Sequence, residues 1–156
     1  MIFLNNEPMC VNERYDYKDK HLKLKIQMHK LDSDHSNLMG ILEAFNGKTH
    51  EPINYNDLLK FPLFEWVDLN CKVAIRRRNM LFKEYINFDT EIKKGGEFGK
   101  HFHSDVIESA EIIEGKILDK NDGEVYEEGD VMHYEKNQHH TPIALIDSKL
   151  KVIFKP

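Results

Sequence analysis

His101, Phe102 and His103 form the stretch of this chain best placed to do chemistry. In an extended segment successive side chains point to opposite faces, so the two histidines share a face about 6.6 Å apart. Glu108 follows five residues after His103, and His140 completes the set. Three imidazoles and a carboxylate suit a first-row divalent metal ion. Histidine is also the compositional oddity, since five of the nine fall between residues 101 and 140. His139 adjoins His140, and adjacent residues of a strand face opposite ways, so only one of the two can point inward. His133 has two readings, a cavity acid or base and a half-exposed strand residue.

The elements that must position these residues change character along the chain. Residues 1–20 show little periodicity and read as a loosely docked arm. Leu22, Leu24, Ile26 and Met28 alternate with Lys23, Lys25 and Gln27, the period of a half-buried strand. That strand belongs to the domain's own sheet or is exchanged between subunits. Leu38, Ile41, Leu42 and Phe45 recur at helical spacing. Ser33 or Asp34 can cap the start, and Asn46-Gly47 can stop the helix in a left-handed turn. A second, short helix is expected over residues 56–60, ended by Pro62. His35 and His50 beside these elements read as surface residues.

Past Pro62 the pattern is β to the end. Strands are expected around Val73–Arg77, Phe82–Phe88, Ile107–Leu118, Val125–Tyr134 and Thr141–Phe154, with a turn at Asp122-Gly123. Many short strands with glycine-rich turns predict a mainly all-β sandwich or barrel. The expected organisation is an arm, strand and helical segment over residues 1–65 packed on a barrel over 66–156. Arg77 shares a face with Val73 and Ile75. It could enter the barrel and hold an anionic substrate through a bidentate pair, or simply be a charged strand end.

Composition bounds the function. A chain of 156 residues and formal charge −5 is one domain's worth, and that charge argues against a nucleic-acid binder, which needs a basic face. No apolar run approaches the ~20 residues of a membrane span, and the opening residues turn polar too soon for a signal peptide. Cys10 and Cys71 have no metal-type spacing, so reduced thiols in the cytoplasm are expected.

The run Gly95-x5-His101-x-His103-x4-Glu108-x6-Gly115 resembles the first conserved motif of the cupin family in every spacing. The family's second motif, G-x5-P-x-G-x2-H-x3-N, is matched at Gly129 and His140. Glu135, Asn137 and Ala144 stand at its proline, second glycine and asparagine. The stretch is also similar to the cupin domain of zinc-binding anti-sigma factors and to small single-cupin dioxygenases. The resemblance covers roughly residues 70–156. It implies a double-stranded β-helix, or jelly-roll barrel, holding one divalent transition metal (Fe, Zn, Ni, Mn or Cu) on His101, His103, Glu108 and His140. The motif spacing selects His140 over His139. Glu108 is expected as a ligand, with a role as a base second, and His133 as a further candidate for proton transfer.

The expected activity is that of a small metal-dependent enzyme, a dioxygenase or a Lewis-acid isomerase or lyase, acting on a chelating small molecule. The competing expectation is a non-catalytic, ligand-sensing module. A homodimer is expected, because cupin barrels commonly pair through their outer sheet faces.

Overall fold

The computed structural model describes residues 38–78 and 84–156. The expected arm, the alternating strand at 22–28, the caps Ser33 and Asp34, His35 and Phe82 lie outside the described residues. Helix α1 covers residues 38–45 and ends where Asn46-Gly47 predicts, with Gly47 at φ 73. Its apolar stripe is real: Leu38, Ile41, Ala44 and Phe45 are buried. A one-turn helix, α2, spans Tyr55–Leu58, and the Asp57 carboxylate accepts a hydrogen bond from the Asn54 N–H at its start.

The remainder is antiparallel β-structure: β1 (Trp66–Asn70), β2 (Val73–Arg78), β3 (Ile86–Ile92), β4 (Ile107–Asp119), β5 (Val125–Glu127), β6 (Val131–Tyr134) and β7 (Pro142–Lys155). The strands follow the order β1-β2-β3-β7-β4-β5, and β6 also pairs with β4. Two long strands organise the barrel. β7 pairs with β4 along its length, and its second half, from Ser148 to Phe154, pairs with β3 as well. The other edge of β4 is shared, its first half by β6 and its second half by β5.

The change of partner needs a bend, and β4 bends through successive register shifts between Ile112 and Ile117. Gly115 sits at this bend with φ 109, and a Cβ there would lie 2.1 Å from the Ser148 hydroxyl. This is the glycine that closes the first sequence motif. The expected continuous strand from Val125 to Tyr134 is in fact two, because Glu128 and Gly129 (φ 90) turn the chain between β5 and β6.

The interior follows from strand alternation. Ile86, Phe88, Thr90 and Ile92 are buried along β3 while the residues between them are partly exposed. They meet Ala110 and Ile112 of β4, Leu150, Val152 and Phe154 of β7, and Ile53, Leu58 and Phe61 of the helical segment in one core. The helices thus share the barrel's core. Phe61 meets Phe88 edge-on with ring centres 5.4 Å apart. Among the described residues no cysteine is free; Cys71 is disulfide-bonded, which overturns the expectation of a reduced thiol there. No helix among them is long and apolar enough to cross a membrane.

Candidate metal centre

Residues 95–101 run antiparallel to 140–144 and close the barrel at the start of β7. Phe98 N–H donates to the Pro142 carbonyl at 3.0 Å, and Gly95 and Ala144 are similarly joined. At the end of this strip His101 and His140 exchange backbone hydrogen bonds of 3.2 and 3.0 Å. Directly opposed residues project to the same face, so the two imidazoles lie side by side with ring centres 4.2 Å apart. His101–His103 is an extended segment rather than a regular strand, yet its alternation holds. Phe102 turns to the outer face and stacks on the ring of His139, 4.4 Å away. His140 is 1 % exposed, whereas His139 is on the surface.

His103 is pinned from two directions. Its carbonyl accepts from Asn137 N–H at 2.6 Å, and its Nδ1 donates to the Ile53 carbonyl at 2.5 Å. Asn137 adopts φ 66, the conformation for which the motif uses glycine and which Asn tolerates. Glu108 enters from β4, on the inward face with Ala110 and Ile112, opposite Tyr134 of β6 and Phe154 of β7.

These elements bring together all four expected ligands. One donor atom from each of His101, His103, Glu108 and His140 lies within 4.8 Å of the other three, and all four residues are buried. Each imidazole uses Nδ1 on a backbone carbonyl: Gly99 for His101 at 2.7 Å, Ile53 for His103, and Gln138 for His140 at 3.1 Å. That fixes the tautomer with the proton on Nδ1 and turns an Nε2 lone pair inward, the arrangement metal-binding histidines adopt.

The Glu108 Oε1 atom stands 3.0 Å from His103 Nε2 and 3.2 Å from His140 Nε2. None of these three buried atoms has a hydrogen-bond partner. The short separations and the missing hydrogen bonds agree once the tautomers are considered: acceptors face acceptors. Such a group is stable only with a cation at its centre. A divalent metal fits this donor set; a proton is the smallest substitute.

Without a metal, the electrostatics favour a proton between His140 and Glu108 as that cation. Burial, reinforced by the charges of His140 and His103, holds His101 well below the ordinary histidine range, so it is the neutral form a metal requires. For His140 burial acts downward, but Glu108 outweighs it and the net shift is upward. For Glu108 burial acts upward, and His140 and His103 together hold the carboxyl far below the usual range. Glu108 is therefore a carboxylate throughout the neutral range.

Behind His140 stands a pair that the sequence did not single out. The Tyr134 ring stacks on His140 at 4.0 Å and 11°, and its hydroxyl donates to Asp119 Oδ2 at 2.8 Å. Asp119 Oδ1 accepts from Asn121 N–H at 2.9 Å and from Thr141 N–H at 3.0 Å. Asp119 is 1 % exposed. From sequence it reads as an ordinary residue at the mouth of a turn, because Thr141 is brought to it only by the pairing of β4 with β7.

A cavity opens from the ligand cluster, walled by Phe45, Phe88, Phe98, Met132, Leu150 and other apolar residues. Phe45 of α1 and Phe98 stand against His101, with ring centres 5.2 and 5.7 Å from the imidazole.

Two expected site residues are elsewhere. Arg77 does not enter the cavity; its Nη1 donates to the carbonyls of Leu59 and Phe61, which end α2, at 3.2 and 3.0 Å. His133 lies on the outward face of β6, beside Ser109 and Glu135, with its side chain 51 % exposed. His50 is exposed, as expected.

No known family profile and no curated protein matches the sequence. Solved structures do resemble this one. KdgF from Halomonas sp. gives a TM-score of 0.54 at 16% identity, covering 59% of this chain and 86% of that one. An RmlC-like cupin from Shewanella frigidimarina gives 0.53 at 20% identity, covering 62% and 89%. A chain from the complex of Rhodobacter sphaeroides SigE with the anti-sigma ChrR gives 0.51 at 19% identity, over 59% of this chain and 49% of that one.

Proposed function

Starting from the cupin fold that these likenesses establish, we propose that His101, His103, Glu108 and His140 hold one divalent transition metal and that the chain is a small-molecule enzyme. The observation that carries this reading is the set of buried, unpartnered atoms His103 Nε2, Glu108 Oε1 and His140 Nε2. A fold does not keep such atoms together without a cation to offset their desolvation.

His101, His103, Glu108 and His140 would hold the ion with room in the adjoining cavity for a chelating substrate, or for a substrate and dioxygen. When bound, a divalent ion would supply Lewis acidity for an isomerase or lyase, or redox chemistry for a dioxygenase. The donors do not choose between these, since imidazole suits Fe, Zn, Ni and Cu alike. The chain's own residues orient and exclude water. Hydrogen bonds from the three Nδ1 atoms hold the imidazole planes, and Phe45 and Phe98 cover His101. Glu108 is the candidate for moving a proton, as it is the ionised group lining the cavity. His133 and Arg77 take no part in this scheme.

Elemental analysis of the purified chain and of His103→Ala tests the proposal. About one metal per chain in the first and nearly none in the second supports it; full occupancy in His103→Ala refutes it. Glu108→Gln separates the roles of the carboxylate. A ligand role predicts weakened metal binding, whereas a base role predicts bound metal with lost turnover.

The second reading is a sensing module. It is favoured by Phe45, which joins α1 directly to His101, and by the likeness to a chain of the anti-sigma complex. Ligand binding without turnover, with a response in residues 38–45, would select it. We further propose a homodimer, the commonest closed assembly; a monomer by light scattering at micromolar concentration removes that element. A cytoplasmic setting has lost its basis in reduced thiols, because disulfides such as that at Cys71 persist mainly in oxidising compartments.

A further inference from the structure

The cavity beside the ligand cluster is unusual in what it lacks. Among the described residues, Thr90 contributes the single polar side chain of the lining apart from His101, Glu108 and His140, and no lysine, arginine or second carboxylate faces it. The space open to the centre of a water molecule is about 30 Å³, room for about two or three waters. Among the described residues, a substrate entering here finds counter-charge at the metal position alone.

The charge balance of the site is then decisive. Glu108 brings one negative charge, and the three imidazoles are neutral when each presents Nε2 to a metal. A divalent ion so held keeps one net positive charge, which a ligand carrying one negative charge cancels. A second negative charge would leave the buried site with a net charge that no described group of the lining offsets, and burying an uncompensated charge is heavily disfavoured.

Resting on the metal-site reading above, we infer that the cavity selects small bidentate oxygen ligands that bind as monoanions and carry only a short apolar remainder. Hydroxamates, α-hydroxyketones and enolised 1,3-diketones are of this class. Dicarboxylates and phosphate monoesters, which carry about two negative charges, are excluded by charge. Phe45 and Phe98 set the size limit, because they close the cavity over His101.

The test uses the full chain loaded with cobalt, whose retention by the protein is verified first by ultrafiltration. Acetohydroxamate and oxalate are then titrated against the visible spectrum of the bound ion, and each affinity is divided by the same ligand's affinity for aqueous cobalt. The expected preference for acetohydroxamate, so corrected, is at least 100-fold. Equal or tighter binding of oxalate overturns the inference while leaving the metal site intact. Failure to retain cobalt overturns the metal-site reading itself, and the inference with it.

Size is tested with benzohydroxamate, expected to bind at least 10-fold more weakly than acetohydroxamate. Phe98→Ala, or Phe45→Leu should that variant not fold, is expected to remove the difference. Undiminished benzohydroxamate binding to the unaltered chain refutes the role of the two rings.

Discussion

Asp119→Ala probes whether the layer behind His140 acts as a unit. The variant leaves the Tyr134 hydroxyl buried without an acceptor and removes the partner of Thr141 N–H. At ~1–3 kcal/mol for each donor left unpaired, plus a small void, the loss is about 3–4 kcal/mol. Asn121 N–H, in an exposed turn, regains water and adds little. For a chain of this size the melting temperature should fall by roughly 10 °C. Tyr134→Phe leaves Asp119 Oδ2 short of one donor while keeping the ring on His140, so it should cost about 1.5–3 kcal/mol.

The double variant has neither the stranded hydroxyl nor the stranded carboxylate. Its loss should fall short of the sum of the single losses by about 1–2 kcal/mol. Denaturant unfolding of the metal-free chain measures all three without contribution from metal binding. Metal affinity, from chelator competition, should drop ~10-fold in Asp119→Ala, since Thr141 directly follows His140. It should change little in Tyr134→Phe. Single losses that add within ~0.5 kcal/mol, or a larger loss in Tyr134→Phe than in Asp119→Ala, would refute the linked arrangement.

Three further outcomes are expected. His140→Ala should lose most of the bound metal and His139→Ala should keep it, by elemental analysis, because the two rings face opposite sides of one strip. Chelation should lower the melting temperature yet leave the far-ultraviolet circular dichroism folded, since the core does not need the metal to form; loss of structure at room temperature would contradict it. Asp89 bonds Arg76 at 2.7 Å and Arg78 at 2.9 Å, and although burial acts upward on its pKa, these contacts bring it below the ordinary value. A carboxyl with a depressed folded pKa contributes stability above its unfolded pKa of about 3.9 and loses it as the pH falls through the folded value. Asp89→Asn should therefore flatten the acid limb of the stability curve below about pH 4, by no more than ~1 kcal/mol because solvent screens the pair.

The cluster of His101, His103, Glu108 and His140 was legible in sequence because it depends on local rules. Alternation put His101 and His103 on one face, and glycine spacing marked the bends at Gly115 and Gly129. Asn46-Gly47 gave the end of α1 for the same reason: the left-handed turn is a property of the residue. Arg77 lies away from the cavity because alternation fixes the direction of a Cβ and not the reach of a long side chain. Three methylenes carried its guanidinium to the carbonyls that end α2. Asp119 and Tyr134 left no signal at all, being fifteen residues apart and joined only across the β4·β6 and β4·β7 pairings. The apolar character of the cavity's described wall is likewise a property of the fold, since Phe45, Phe98, Met132 and Leu150 come from four separate segments.

Gly99 ties the helical segment to the candidate metal centre through one peptide strip. Its N–H donates to the Phe45 carbonyl at 2.8 Å, and its own carbonyl receives His101 Nδ1. A Cβ at this position would come within 2.1 Å of the Asn46 carbonyl carbon, so no side chain can be accommodated without lifting the helix. The barrel therefore cannot be transplanted as a self-sufficient cassette beginning at β1. A graft that omitted residues 38–49 would expose the ring face of His101 and remove the backbone against which Gly99 is braced. Any lineage that exchanged this helix for another would have to reinvent the seating of the first histidine in the same step.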